Sequence, residues 1–154
     1  MKRFMLLAIN SAEGGIKKFE GGPFGACIVK NNKVISVAHN TVLKNKDPTC
    51  HAEINAIRKA AKKIGYVMKG CTIYSTTEPC PMCFSAIHWA NISKVVFGTG
   101  ISDVMKRGFN ELALSSKKMK KLGKSKVKIQ SGFMKKECNE LLSEWDRLRK
   151  KKTY

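Results

Sequence analysis

Residues 51–53 read His51-Ala52-Glu53, and residues 79–83 read Pro79-Cys80-Pro81-Met82-Cys83. Each stretch stands at a predicted strand-to-helix junction. Cys80 and Cys83 are three apart at a helix start, which puts both thiols on one helical face. A helix N-terminus favours the thiolate, the form that binds metal. Pro81 suits the first turn, where no N–H partner is needed. His51 opens its own helix, and two helix starts after neighbouring strands can aim three ligands at one point. Zinc on three protein ligands keeps a fourth position open, the catalytic arrangement, whereas structural sites close with four. Cys50 is adjacent to His51, and successive helical residues point a quarter-turn or more apart, which argues against it as the fourth. Glu53 fits better as a carboxylate outside the ligand set, where it can take a proton from water and return it to a leaving group. The expectation is one Zn2+ per chain on His51, Cys80 and Cys83, with Glu53 catalytic.

Working outward, Cys50–Ile64 carries helical spacing in Ile54, Ile57, Ala60, Ala61 and Ile64, closed by Gly65. Upstream, Phe4–Lys18 has apolar residues at Phe4, Met5, Ala8, Ile9, Ala12 and Ile16, again helical. Phe24–Val29 and Val34–Ala38 are β-type runs around Asn31-Asn32, a tight-turn pair, and predict a hairpin. Downstream, Cys71–Ser75 reads as a strand and Pro81–Ala90 as a helix with Met82, Ala86, Trp89 and Ala90 on one side. Lys94–Phe97 and Val127–Ile129 read as strands. Phe133–Arg149 reads as a helix sending Leu141, Leu142, Trp145 and Leu148 to the core. The Lys-rich stretch Ser115–Lys128 reads as an exposed loop. Strands alternating with helices after an opening hairpin imply a layered α/β domain with a mixed sheet. No Pro/Gly/Ser-rich tract or repeat divides the 154 residues, so residues 1–154 are expected to form a single domain.

The arrangement H-x-E…P-C-x-x-C is the signature of zinc nucleobase deaminases. At these residues the chain resembles the cytidine-deaminase-like superfamily. Within it, Gly21-Gly22-Pro23-Phe24-Gly25-Ala26, His39-Asn40, Asp47-Pro48-Thr49, Ala86-Ile87-His88-Trp89-Ala90, Gly108-Phe109-Asn110-Glu111 and the final Lys-Thr-Tyr resemble bacterial guanine deaminases. The resemblance implies a three-layer α/β/α sandwich with a mixed five-stranded sheet, one zinc, and a homodimer with exchanged C-terminal segments. It implies that Asn40 hydrogen-bonds the base, that Phe24 and Trp89 wall the ring, and that Glu111 is a second proton-transferring carboxylate. It also implies that Tyr154 reaches the pocket, from the partner subunit. The expected activity is hydrolytic deamination of a free purine base, guanine to xanthine plus ammonia. Val127–Arg149 looks more like the C-terminal part of tRNA adenosine deaminases, which keeps adenosine in tRNA as the alternative substrate, beside a nucleoside or cytosine-type base. His88 stands where many guanine deaminases have Tyr.

Composition sets the remaining bounds. With 43% hydrophobic and 27% charged residues, the chain reads as an ordinary soluble protein. No apolar run approaches the roughly 20 residues of a spanning helix. Met1–Asn10 turns polar too quickly for a secretory signal, so a cytoplasmic location is expected. Six Cys in such a chain point to ligands or buried thiols rather than disulfides, with Cys27 and Cys71 as small core hydrophobes. The net charge of +19 attracts polyanions. Only Arg3, Arg58, Arg107, Arg147 and Arg149 among the 30 cations are Arg, the residue of bidentate phosphate and base recognition. A Lys-rich solvated face and a small nucleobase substrate are therefore favoured over a nucleic-acid partner.

Overall fold

The computed structural model describes residues 1–148 and 152–154. The elements run α1 (Lys2–Lys17), β1 (Gly25–Lys30), β2 (Lys33–His39), α2 (Val42–Asn45), α3 (Ala52–Ile64), β3 (Thr72–Thr77), α4 (Pro81–Trp89), β4 (Lys94–Thr99), α5 (Ile101–Met105), α6 (Ser116–Leu122), β5 (Lys128–Gln130) and α7 (Lys135–Arg147). The expected end of the last helix at Arg149 lies outside the described residues. The five strands form one sheet in the order β2-β1-β3-β4-β5. β1 runs antiparallel to β2 and β3, and β3, β4 and β5 are parallel, so the sheet is mixed as expected. Asn31 and Asn32 both take positive φ, at 48° and 62°. A two-residue turn needs this backbone to match the strand twist, and Asn tolerates it.

Alternation along the strands separates two faces. Ala26, Ile28, Ile73, Val95 and Phe97 pack with Ala52, Ala56 and Ala60 of α3 and with Phe84 and Ile87 of α4. Cys27, Val29, Tyr74 and Val96 pack with Phe4, Met5, Ala8 and Ile9 of α1 and with Cys138 of α7. The result is the three-layer α/β/α sandwich. Beyond the sheet, Ala12 and Ile16 meet Leu141, Leu142, Trp145 and Phe109. Cys27 and Cys71 are fully buried core thiols, and burial pushes Cys27 up to about 11. At Gly25 the first strand crosses α1 so closely that a Cβ would collide with the Ala8 carbonyl, so no other residue fits.

Two expectations are corrected. Ser115–Lys128 is not all loop: α6 occupies its first half, with Ser115 Oγ accepting from Lys118 N at 3.2 Å as an N-cap. Met119 packs against the core, and the surrounding lysines, good helix formers, point outward. In α4 the buried stripe is Cys83, Phe84 and Ile87, not the side bearing Met82 and Trp89. Trp89 is 80% exposed.

The pairing register places three chain ends together. Gly25, at the start of β1, faces His39, at the end of β2. Ala26 faces Ser75, near the end of β3. Phe24, Asn40 and the Glu78–Cys80 turn thus leave the sheet at one edge, the carboxyl-terminal side of β2 and β3, where α/β sheets open their crevices.

Candidate active site

His51 and Cys80 are the N-cap residues of α3 and α4, both in extended conformation, and neither side chain is spent on capping. His51 Nδ1 lies 3.6 Å from Cys80 Sγ and 3.6 Å from Cys83 Sγ. The three donor atoms lie within 4.8 Å of one another and form the candidate metal group among the described residues. Zn–N near 2.05 Å and Zn–S near 2.3 Å at a tetrahedral angle give an N···S edge of about 3.55 Å. The spacing of this donor set therefore fits tetrahedral zinc with one position left over. The hydrogen bond from Cys83 and then that from His51 lower the Cys80 thiol to about 4, so it is a thiolate at neutral pH.

Glu53, in the first turn of α3, is 5% exposed and outside the donor set. Ser75 Oγ donates to its Oε1 at 3.1 Å, and Cys83 Sγ lies 3.5 Å from Oε2. Burial, and next the negative charge at Cys80, raise its carboxyl above the usual range. A carboxyl raised in this way is better suited to carry a proton than a free one.

These groups open on a cavity of about 300 Å³ lined by Phe24, Pro48, His51, Cys80, Pro81, Met82, Phe109, Asn110, Glu111, Leu112 and Tyr154. Glu111 lines the same cavity within electrostatic reach of His51, Cys80 and Glu53, and burial followed by the Cys80 charge raises its carboxyl to about 7. Phe24 meets Phe109 edge-on with centroids 5.1 Å apart, and Phe109 meets Tyr154 edge-on at 5.7 Å. The Tyr154 hydroxyl donates to Asn40 Oδ1 and accepts from Gly22 N at 2.9 Å. Asn40 is 1% exposed. Its Oδ1 also accepts from Gly22 N and Val42 N, at 3.3 and 3.1 Å. Its Nδ2 is buried without a hydrogen-bond partner among the described residues.

The structure brings together His51, Cys80, Cys83, Glu53, Glu111, Phe24 and Tyr154, with Asn40 directly behind Tyr154. Tyr154 reaches the pocket of its own chain. Trp89 does not join them: it projects from the exposed side of α4 and is absent from the lining. Its nine-residue separation from Cys80 places it at the far end of that helix, about 13 Å along the axis. Sequence reasoning did not assign Phe109, Pro48, Met82 or Leu112 to the wall. Phe109 had a local signal, since Gly108 has φ 87° and turns the chain just before the Phe-Asn-Glu run.

Residues 1–99 match the family model of the cytidine and deoxycytidylate deaminase zinc-binding region. Over 72% of its length the chain is 43% identical to the guanine deaminase of Bacillus subtilis (strain 168), covering 69% of that protein. Over 97% of its length it is 34% identical to the tRNA-specific adenosine deaminase of the same strain, covering 91% of that protein. A solved structure from work on A-to-I editing by tRNA:A34 deaminases at the wobble position superposes with a TM-score of 0.80 at 29% identity. That superposition spans 92% of this chain and 100% of the other.

Proposed function

This chain belongs to the cytidine and deoxycytidylate deaminase family, and from that membership we propose that it deaminates a free purine base, converting guanine and water to xanthine and ammonia. The observation that carries the choice of a free base is the mouth of the pocket. Tyr154, hydrogen-bonded to Gly22 and Asn40 and packed on Phe109, lines that mouth, and a ring held there would oppose a ribose. A small cavity walled in part by aromatic rings suits a planar base.

The roles follow the geometry. His51, Cys80 and Cys83 would hold zinc, which when bound supplies Lewis acidity that brings the ionisation of water near neutral pH. Ser75 fixes one oxygen of Glu53, leaving Oε2 to take a proton from the attacking water and pass it on. The carbon–oxygen bond forms and the bond to the exocyclic amine breaks. One proton of the water ends on a ring nitrogen and the other on the leaving amine. Glu111 can hold a proton at neutral pH on the opposite side, where the amine departs. The unpartnered Asn40 Nδ2 would donate to the base.

The second reading, adenosine in tRNA, is favoured by the net charge of +19 and by likeness to tRNA enzymes over nearly the whole chain. Ammonia release from guanine, guanosine, adenine, cytosine, cytidine and tRNA separates the two. Turnover of guanine with tRNA silent is expected, and turnover of tRNA alone would overturn the free-base reading. We also read the exposed side of α4 as the face of a homodimer. Met68 N donates to Ala90 O, which brings exposed Tyr66 and Val67 alongside Trp89 in one apolar surface. Sedimentation of the wild type and of Trp89→Glu tests this, since the charge should yield monomers.

A further inference from the structure

Glu78 lies outside the pocket, in a separate cleft with Gly98, Gly100, Asp103 and Ser115. Its two carboxylate oxygens reach in different directions. Oε1 accepts from Ser116 N at 2.9 Å, at the first residue of α6. Oε2 accepts from Ile101 N at 3.4 Å, at the first residue of α5. Those two amides bracket the segment that carries Phe109, Asn110, Glu111 and Leu112 into the active site. The base of this clamp is itself held. Glu78 N donates to Thr99 O at 2.8 Å, across from β3 to β4. Ser116 Oγ, fully buried, donates to Pro79 O at 2.9 Å, one residue before Cys80. Between the brackets, regular structure stops at Met105, and Leu112 is 67% exposed.

We propose that Glu78 is a positioning residue for the reaction: by tying both ends of segment 101–116 to the turn that carries Cys80, it sets the place of Glu111 opposite the metal group. This rests on the role given to Glu111 above. The residue type suits the task. A carboxylate offers two acceptor oxygens and no donor, so one side chain can serve two amides. Glutamine keeps one acceptor and turns an NH2 toward the other amide, donor against donor. A displacement near 1 Å at a reacting group can cost on the order of 100-fold in rate.

The experiment compares the zinc-loaded full chain with Glu78→Gln and Glu78→Ala. It reads zinc content, amide hydrogen exchange over residues 100–116, and kcat and KM on whichever base the wild type turns over. Glu78→Gln should keep one zinc, speed exchange at Ile101 while sparing Ser116, and lower kcat/KM about tenfold. Glu78→Ala should release both amides, with the Ser116 hydroxyl bond to Pro79 O still in place, and lower kcat/KM about 100-fold. In a Glu111→Gln background, Glu78→Gln should change kcat less than about twofold, because no carboxylate remains to be positioned. Three results overturn the proposal: zinc lost in proportion to rate, exchange over 101–116 unmoved in Glu78→Ala, or losses in kcat that add in full in the double variant. Exchange and zinc content need no substrate. A wild type silent on guanine therefore refutes the guanine reading while the clamp is still decided by its own readouts.

Discussion

Replacing Tyr154 by Phe removes one oxygen and keeps the ring against Phe109. That oxygen accepts from Gly22 N at 2.9 Å and donates to Asn40 Oδ1. Neither partner is stranded by its loss. Gly22 N keeps Asn40 Oδ1 at 3.3 Å, and Oδ1 keeps Val42 N at 3.1 Å. The cost is therefore the net worth of two hydrogen bonds, about 1–3 kcal/mol, rather than the penalty of a buried orphan. Chain ends have little docking energy in reserve, so the loss should appear in kcat/KM on the free base as roughly 5- to 150-fold. Burial raises the Tyr154 hydroxyl further above its ordinary value, so it stays protonated at every working pH and the effect should be flat with pH. Deleting residues 152–154 also removes the bond from Asn110 N to Tyr154 O, at 3.1 Å, and the contact with Phe109. The deletion should lower guanine turnover further while narrowing the preference for guanine over guanosine. The assay is ammonia release from both substrates by wild type, Tyr154→Phe and the deletion, with zinc content checked in each. A deletion protein with wild-type kinetics on both and an unchanged ratio would refute the closed mouth.

Glu53→Ala should retain one zinc per chain and lower kcat by about 100- to 10,000-fold, whereas Cys80→Ala should lose the metal and, since metal binding is coupled to folding, melt lower; metal analysis and thermal melts decide. Glu20 is depressed to about 2, first by its hydrogen bond from Lys44 and then by that from His39. A depressed carboxylate stabilises the fold above its unfolded value, and that contribution is lost as pH falls from about 4.5 toward about 2. Glu20→Gln should therefore melt lower than wild type at pH 6, with the difference shrinking across that window; an equal difference at pH 3 would contradict the assignment. Turnover of a free base should change little between about 50 and 200 mM salt, while a substrate making 6–10 phosphate contacts would lose about 10³- to 10⁵-fold in affinity.

What was legible in the sequence is what periodicity and spacing encode. The apolar register Phe4, Met5, Ala8, Ile9, Ala12 and Ile16 gave the first helix because every one of those side chains is buried. Asn31-Asn32 gave the hairpin because the turn needs positive φ. The metal group was readable because helix starts hold their N-cap residues in fixed directions. The helix α6 was hidden because only Met119 of its apolar residues packs inward, so no stripe marks it. The wrong side was expected of α4 because apolar Met82 and Trp89 compete with Phe84 and Ile87, and only tertiary packing decides between them. The pocket wall was hidden for another reason. Pro48, Phe109 and Leu112 sit in connecting segments, whose meeting is fixed by the scaffold and not by local pattern.

The same separation bears on how the enzyme divides its labour. Apart from Glu111, the groups that would perform the chemistry come from residues 51–83, on helix starts anchored to the end of a buried sheet. Beside Phe24 and Asn40, the groups that would select the base come from residues 109–112 and 154. These hold one another: Asn110 N donates to Tyr154 O, and Phe109 packs on Phe24, Tyr154 and Trp145. Neither segment supplies a metal donor. Changes at Phe109 or Tyr154 can therefore reshape the wall and alter base choice while the zinc stays in place. Changes at His51 or Cys83 should remove the metal and, with it, turnover of every base alike. Glu78 is a side-chain link between the two halves: its backbone leads to Cys80 and its carboxylate holds the wall segment at both ends, with the Ser116 hydroxyl bond to Pro79 O beside it. Altered selectivity without loss of metal should thus be confined to the wall and to that link.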